Sequence, residues 1–494
     1  MGALQMPHWF KYFVYITFFF SATVHAAIPE VERNALIAFY KATSGDLWRD
    51  NTGWLGGPGT ECQWQGVSCS EDQHIIELAL RSNNLKGQIP VEIADISQLQ
   101  KLVLSGSMHG TRLNGTIPSE ITHLSHLQEL ILSQNDLTGA LPQELGNLSQ
   151  LKVLDLHQNQ FSGKIPPELS KLSQLEELKL SYNDFSGSIP AELGTLSSLQ
   201  ELDLMSNSLS GTIPEQLAEL SQLKKLQLTD NLLSGEIPVW LVKLTQLTQL
   251  NLSNNSLSGS IPKELGQLKK LTRLRLLGNQ LTGSIPSELG QLSELLILHI
   301  GENQLTGTIP QELNKLGKLK VLRMLNNKLT GDISHKFDSI PGGVVLLSLQ
   351  NNCFNFGGYE FLESLADIKY LDLGSQSACQ DTPNNEAILR TARRDDIHIP
   401  YIMLNGQAYD VVLQKYSPPM DQGTHSYWRV FETKLIETEP EQQENPSAEY
   451  DFTTGVLKFN KIHLREQVLS AELTPYTPPA HAEAGVYFKY ALGH

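Results

Sequence analysis

The chain has 494 residues, which is more than one ordinary compact domain needs. Hydrophobic residues make up 40% and suffice for a packed core, whereas charged residues make up only 18%, below the usual share of roughly a quarter. The formal net charge of -16 repels phosphate backbones, so we expect no nucleic-acid partner.

The N-terminal segment 1–26 has the pattern of a secretory signal peptide. Lys11 is followed by an apolar run over residues 12–20, and small residues then lead to a predicted cleavage after Ala26. The run is short for a bilayer span of about 20 residues, although an uncleaved anchor is the alternative. We therefore expect a mature chain without a membrane span, secreted to the extracellular space or cell surface, or into the periplasm if the source is bacterial.

The four cysteines fall in two pairs, Cys62 with Cys69 before the repeats described below and Cys353 with Cys379 at their end. An even number placed at both ends of an array predicts two disulfide clamps formed in an oxidising compartment. Four free, buried thiols are the alternative.

A 24-residue period dominates the middle of the chain. The shared pattern is LxxLxLxxNxLxGxIPxxLxxLxx, which residues 199–222 show without a departure. The step is longer between Leu102 and Leu130 and between Leu322 and Leu347. The second leucine of each unit marks thirteen units: Leu78, Leu102, Leu130, Leu154, Leu178, Leu202, Leu226, Leu250, Leu274, Leu298, Leu322, Leu347 and Leu371.

Each recurring letter has a structural role. The alternating LxL is typical of a short strand whose leucines turn inward and whose neighbours turn outward, paired in parallel with the next unit. The asparagine that follows, such as Asn135 or Asn159, turns into the core, where its amide can satisfy backbone groups of two units. The Ile-Pro pair holds an extended segment, and the apolar residues after it predict a short helical turn. No unit buries its own leucines, so the pattern predicts a stacked solenoid.

This run resembles the extracellular leucine-rich-repeat family. Its LSGSIP and LTGTIP segments match the plant-type, 24-residue subtype found in the ectodomains of plant receptor-like kinases and in polygalacturonase inhibitors. The resemblance covers about residues 75–379 and implies an α/β solenoid with a parallel β-sheet on its concave face. It does not identify the ligand, because the subtype serves many partners.

Both ends of the run fit the same resemblance. Residues 27–75 look like the N-terminal cap of the family, with a helix, a tryptophan-rich turn and a Cys62–Cys69 disulfide that cover the first unit. At the far end the Ile-Pro element is lost after Ile333, and Cys353 and Cys379 lie on neighbouring units that suit a second clamp. We assign residues 76–379 to a solenoid of about 13 repeats.

One unit departs from the pattern by an insertion. Ser107 replaces the asparagine, and the extra residues around 108–112 predict a loop that projects at the edge of the sheet. Such a loop either carries contacts or is a tolerated insertion.

The tail carries a second, unrelated repeat. Residues 380–395 are polar and predict a linker, and residues 396–494 then show a duplication, in which Ile397 aligns with Leu457 and Tyr416 with Tyr476. Alternation with period two predicts a C-terminal all-β domain, a sandwich or barrel of two similar halves, closed by strands near residues 427–436 and 486–492. The tail looks like β modules appended to exported bacterial proteins, which favours a bacterial source.

The sequence favours no chemistry. It lacks the zincin, nucleophile-elbow, phosphate-loop, CxxC and EF-hand motifs, so we expect no enzyme, cofactor or metal. Asp155 and His157 share an outward strand face with Ser133 and Ser181 one unit to either side, which suggests a triad. A flat, exposed sheet offers neither an oxyanion hole nor a closed metal site, so we expect neither activity there.

Two charged regions stand out among the outward positions. The first is acid-rich, with Asp155, Glu176, Glu177, Glu201 and Asp203. The second is basic and flanked by exposed apolar residues, a combination typical of binding surfaces. We call this second region the basic patch and predict that it binds a ligand through seven residues: Arg273, Arg275, Leu277, Ile297, His299, Arg323 and Leu325. The alternative is a mixed charged surface that only keeps the solenoid soluble.

The leading hypothesis is therefore a receptor or adhesin that recognises a protein or peptide on the concave sheet. The rival is a cell-surface protein that binds carbohydrate or inhibits a glycosidase, although the outward strand positions hold only two aromatic residues, Tyr182 and Tyr370. A structural surface protein attached by its β tail is the third. The sequence leaves the oligomeric state open.

Overall fold

The computed structural model describes residues 27–107, 110–332, 344–355 and 370–372, and seven strands of the tail. The chain divides into two compact units after Asn135, and each is described by itself. The predicted signal peptide, the linker at 380–395, Cys379 and the centre of the insertion at 108–109 lie outside the described residues.

The first unit begins with a cap made of one helix and a small antiparallel pair of strands. The helix follows Pro29 and has two acidic residues in its first turn and Lys41 in its last, which complements the helix dipole. Its buried face packs against the 3-10 turn of the first repeat unit, so it covers leucines that would otherwise be exposed. The elements of this unit are α1 Glu30–Ala42, 3-10 turns Gly45–Leu47, Glu61–Gln63, Val91–Asp95 and Ser119–His123, and strands β1 Val67–Cys69, β2 Ile75–Ala79, β3 Lys101–Val103, β4 Asn114–Gly115 and β5 Glu129–Ile131.

The cap is fastened by a disulfide and by a buried carboxylate. Cys62 and Cys69 are bonded with their Cα atoms 5.5 Å apart, which confirms the first predicted clamp. Glu32 places Oε1 at 2.6 Å from Nδ1 of His74 and accepts a hydrogen bond at Oε2 from the N–H of Ile75 at 2.8 Å. The helix is thereby tied to β2, which pairs in parallel with β3.

The second unit contains a long parallel sheet to which each repeat unit contributes one strand. We call each repeat unit a rung. Equivalent residues pair across neighbouring strands, so that Leu202 lies opposite Leu178 and Leu226. The central leucines from Leu154 to Leu347 are buried, and burying each one contributes about 1.5–3 kcal/mol. The strands are β7 Val153–Asp155, β9 Glu177–Lys179, β11 Glu201–Asp203, β13 Lys225–Gln227, β15 Gln249–Asn251, β17 Arg273–Arg275, β18 Ile297–His299, β20 Val321–Arg323, β22 Leu346–Ser348 and β24 Tyr370–Asp372.

A second set of short parallel strands follows the asparagine of each rung. The sequence predicted an extended segment here but not its pairing with the next rung, which the structure shows from Ser186 opposite Ser208 to Thr306 opposite Lys328. These strands are β6 Asp136–Gly139, β8 Gln160–Gly163, β10 Asp184–Gly187, β12 Ser208–Gly211, β14 Leu232–Glu236, β16 Ser256–Ser258, β19 Thr306–Gly307, β21 Lys328–Asp332 and β23 Cys353–Asn355.

Each rung of the second unit up to that of β18 then turns through a five-residue 3-10 helix directly after the proline, as the sequence predicted. Proline caps the turn in the extended conformation and the leucine in its middle is buried, for example Leu193 after Pro190. The turns of the second unit are Gln143–Asn147, Pro167–Lys171, Ala191–Thr195, Glu215–Glu219, Val239–Lys243, Lys263–Gln267, Ser287–Gln291 and Gln311–Lys315.

The recurring asparagine joins neighbouring rungs, as expected. Asn183 donates from Nδ2 to the carbonyl oxygens of Leu180 at 3.1 Å and of Leu156 in the preceding rung at 3.0 Å. Its Oδ1 accepts a hydrogen bond from the N–H of Phe161 at 3.0 Å. The same bonds recur at Asn207, Asn231, Asn255, Asn279, Asn303 and Asn327.

The tail forms a closed sheet of its own, which confirms the predicted all-β domain. Its strands run in the order β25-β26-β27-β31-β30-β29-β28, and its two bulged hairpins match as the duplication predicted: Ile397 pairs with Leu413 as Leu457 pairs with Leu473. The short β28 was not predicted. The strands are β25 Asp396–Leu404, β26 Gln407–Tyr416, β27 Ser426–Leu435, β28 Ala448–Asp451, β29 Val456–Leu464, β30 Gln467–Tyr476 and β31 Tyr487–Tyr490.

Among the residues that the structure describes, no helix is both long and apolar enough to cross a bilayer.

Candidate functional site

The basic patch lies on the outward side of the long sheet, where strand residues alternate with the buried leucines. On β17, Arg273 and Arg275 are half-buried while Leu274 between them is fully buried. The same alternation holds on β18 and β20, so the strand period places the residues of the basic patch on one face.

Arg275, His299 and Arg323 form a row across three neighbouring strands. His299 pairs in register with Arg275 on one side and with Arg323 on the other, at a strand spacing of about 4.8 Å. Burial lowers the pKa of His299 to about 4, and the charges of Arg323 and Arg275 add to this effect. The imidazole is therefore neutral at pH 7, between two cations.

Carboxylates of the described residues do not neutralise the arginines of this row. Within the described part of the chain, neither Arg275 nor Arg323 forms an ion pair with a carboxylate. Burial lowers the pKa of Arg275, as do the neighbouring charges of Arg273 and Arg323. Nε of Arg273 and Nε2 of His299 are buried with no hydrogen-bond partner among the described residues. An anionic group that docks here would gain attraction without first breaking an ion pair.

Apolar side chains lie on both sides of the row. Ile297 stands between Arg273 and Val321 in the register of β17, β18 and β20. On the other side, Leu277 and Leu325 close over Gly301, whose added Cβ would lie 3.1 Å from Cδ1 of Leu277 and 2.9 Å from Cδ2 of Leu325. All seven residues of the basic patch are thus brought together: Arg275, His299 and Arg323 form a central row, Ile297 lies on one side of it beside Arg273, and Leu277 and Leu325 lie on the other side.

The sequence reasoning missed Gly301 and Val345. Gly301 is buried beneath the two leucines, in a column where the other rungs from that of β7 to that of β22 carry His, Ser, Met, Thr, Leu or Gln, and the absence of a side chain there was a readable signal. Val345 is 38% exposed and Leu296 is 36% exposed, and they extend the apolar side towards the start of the strands. Val345 was missed because the repeat between Leu322 and Leu347 is one residue longer than the 24-residue period.

The acid-rich region differs because its charges are largely neutralised from within. Lys179 pairs with Glu177 and, at 3.8 Å, with Glu201, which also pairs with Lys225 at 2.9 Å. Burial raises the pKa of Asp203, although a hydrogen bond from Ser181 opposes the shift. A ligand would have to compete with these pairs, so the basic patch is the better candidate.

The suggested triad is not assembled through Ser181. His157 is 2.7 Å from Oδ1 of Asp155, and this hydrogen bond raises the pKa of His157. The hydroxyl of Ser181, however, donates to Oδ2 of Asp203 at 2.8 Å. Among the described residues no cluster of three or more His, Cys, Asp or Glu side chains could hold a metal ion.

Only one cysteine of the second predicted disulfide lies among the described residues. Cys353 on β23 is disulfide-bonded, whereas its predicted partner Cys379 lies outside the described residues.

Comparisons with known proteins agree with this architecture. Residues 119–232 match the family model described as a leucine-rich repeat region, and residues 221–281 match the one described as a leucine rich repeat. A probable leucine-rich repeat receptor-like protein kinase of Arabidopsis thaliana is 35% identical over 54 residues, which are 11% of this chain and 6% of that protein.

Two solved structures extend the likeness to three dimensions. The Arabidopsis HAESA ectodomain, in complex with an N-terminally extended IDA peptide hormone, has a TM-score of 0.60 at 30% identity, over 69% of this chain and 60% of that chain. A TDR receptor has a TM-score of 0.57 at 35% identity, over 60% of this chain and 51% of that chain. The chain therefore carries leucine-rich repeats folded like those of plant receptor ectodomains, and it spans half to three-fifths of the two ectodomains.

Proposed function

We propose that this leucine-rich-repeat solenoid is an exported, non-enzymatic binding protein that holds a protein or peptide ligand on the basic patch. The observation that carries the proposal is the row of Arg275, His299 and Arg323, which is half-buried and without a carboxylate partner among the described residues. The HAESA ectodomain, which shares the fold, is a receptor in complex with a peptide hormone. The role requires no cofactor.

The apolar side chains on the two sides of the row specify the ligand further. Residues two apart on a strand are about 6.6 Å apart, so these side chains lie within reach of the neighbours of a bound acidic group. The ligand should therefore present a carboxylate flanked by apolar side chains. Interface centres are also more apolar than the surrounding surface and enriched in arginine.

The glycosidase-inhibitor and surface-structure hypotheses have no comparable support on this face. Export by the predicted signal peptide remains part of the proposal and is consistent with the Cys62–Cys69 disulfide, whereas a bacterial source rests on the sequence of the tail alone.

A display library of random peptides tests the proposal. We expect the immobilised chain to enrich peptides with Asp or Glu between apolar residues, and the double variant Arg275→Ala, Arg323→Ala to lose them. The matched control, Lys243→Ala with Lys315→Ala, removes two exposed charges from 3-10 turns and should retain the same peptides. Enrichment of the same peptides by the patch variant would overturn the assignment of the site.

A further inference from the structure

An open trough of about 800 Å³ runs along the second unit where the second set of strands passes into the 3-10 turns. It extends over consecutive rungs from Glu236 to Pro310, and none of its lining residues belongs to the basic patch. It is therefore a separate feature of the molecule.

The lining of the trough combines an apolar base with polar sides. Ile237, Ile261 and Ile285 contribute to the base and are 2%, 2% and 3% exposed. One exposed hydroxyl from each of three successive rungs lines a side, at the position between the glycine and the isoleucine: Ser260, Ser284 and Thr308. Three carboxylates and one cation complete the charged groups of the lining: Glu236, Glu264, Glu288 and Lys263.

The backbone along the trough is already paired, so side chains must recognise any occupant. The N–H of Thr282 donates to Gly259 and that of Thr306 donates to Gly283, both at 2.8 Å. An added peptide strand would find these groups used. Carboxylates only accept hydrogen bonds, whereas hydroxyls both donate and accept. The occupant must therefore bring many donors and present an apolar face to the isoleucines and prolines.

A saccharide meets these requirements, because its hydroxyls donate and accept while the C–H groups of its rings form apolar faces. The three carboxylates against one lysine repel an anionic sugar chain. The hydroxyls recur with each rung, at about 4.8 Å, which suits a polymer of repeated units. A site of this kind needs few convergent polar groups above an apolar base.

Trp240 is adjacent in sequence to the trough residue Val239, although it is not itself one of the lining residues. It occupies the turn position that Glu264 and Glu288 hold in the next two rungs, and it follows Val239, which lines the trough and is 55% exposed. The fold does not require an aromatic residue at a position that other rungs fill with glutamate. A half-buried indole offers the flat apolar face on which a sugar ring can stack.

We propose that this trough binds a neutral oligosaccharide, independently of the ligand on the basic patch. Calorimetric titration of the full chain with cellohexaose, maltohexaose and hexagalacturonate tests the idea. At least one of the two neutral hexasaccharides should bind. Hexagalacturonate should bind at least tenfold more weakly than that neutral hexasaccharide. Binding of neither neutral sugar, or equal binding of the anionic one, would overturn the proposal.

Two variants locate the site. Ser284→Arg places a long side chain in the middle of the trough and should weaken binding at least tenfold, whereas Ser188→Arg, at the same exposed repeat position but outside the trough, should leave it unchanged. Equal binding by both variants would overturn the location. If Ser284→Arg does not fold, Glu264→Gln with Glu288→Gln should raise the affinity for hexagalacturonate at least threefold, and no change would contradict the charge argument. Arg275→Ala should bind the sugar normally, so the failure of one proposal does not affect the other.

Discussion

The side-chain amide of Asn183 holds Phe161 of the preceding rung, because its Oδ1 accepts a hydrogen bond from the N–H of Phe161 at 3.0 Å. Its Nδ2 also donates to the carbonyl oxygens of Leu156 and Leu180. One side chain thus serves the backbone of two rungs.

Replacing Asn183 with alanine should therefore leave buried backbone groups without partners. We expect Asn183→Ala to lower the free energy of unfolding by about 1–3 kcal/mol, measured by urea denaturation. Ser208→Ala, an exposed change on β12, is the control and should stay within about 0.5 kcal/mol. Equal effects of the two changes would show that the asparagine is not needed for stability.

Gly301 should tolerate no side chain. The Cβ of Gly301→Ala would lie 2.9 Å from the backbone oxygen of Leu325 and from its Cδ2, so the leucines of the basic patch must move. We expect a loss of about 1–3 kcal/mol in the free energy of unfolding, since overpacking is costly. Gly57→Ala meets no atom within 4 Å and should be nearly neutral in the same measurement. A neutral Gly301→Ala would mean that the leucines do not close over the glycine.

His299 should make the protein less stable in acid. Its pKa is about 4 in the folded chain against 6.5 for an unperturbed imidazole, so the unfolded chain takes up a proton first as the pH falls. Its contribution is fully present above pH 6.5 and is lost between pH 6.5 and 4. The stability difference between the native chain and His299→Gln should shrink over this range in urea unfolding. NMR titration supplies the check: Arg323→Ala should raise the pKa of His299, and an unchanged value would contradict the proximity of the two charges.

The contribution of His157 to stability should depend on pH in the opposite direction. Its hydrogen bond to Asp155 raises its pKa, so the folded chain holds the proton to a higher pH than the unfolded chain does. This contribution is present below pH 6.5 and is lost as the pH rises through the folded pKa. The destabilisation caused by His157→Gln should be larger at pH 6 than at pH 8.5. Asp155→Asn should abolish most of the difference, and a pH-independent effect would argue against the ion pair.

The rungs and their registers could be predicted because a single repeat period sets both. A leucine at a given phase must be buried, and its neighbours on the strand must then face outward, so Arg275, His299 and Arg323 could be placed in one row from the sequence. The duplicated tail could be predicted for the same reason, since Ile397 and Leu457 occupy equivalent places in their hairpins.

Features that depend on contacts between different rungs could not be predicted from the repeat period. The second set of strands has a mostly polar sequence, and its pairing follows only once the rungs are stacked. Whether a charge is neutralised also depends on rotamers and on neighbours in space. The ion pairs of Lys179 with Glu177 and Glu201 were therefore not predicted. The role of Gly301 likewise requires the paths of two side chains from other rungs.

The equal register of the strand pairs in the long sheet of the second unit has a consequence for how such a chain can change its length. Excision of one complete rung, for example residues 230–253, would join equivalent points of two rungs and leave the order of inward and outward residues intact. The acid-rich region and the basic patch would then lie one strand spacing, about 4.8 Å, closer together, and each would retain its own residues. The rung thus serves as a unit of length, whose duplication or loss adjusts the distance between two sites without redesigning either of them.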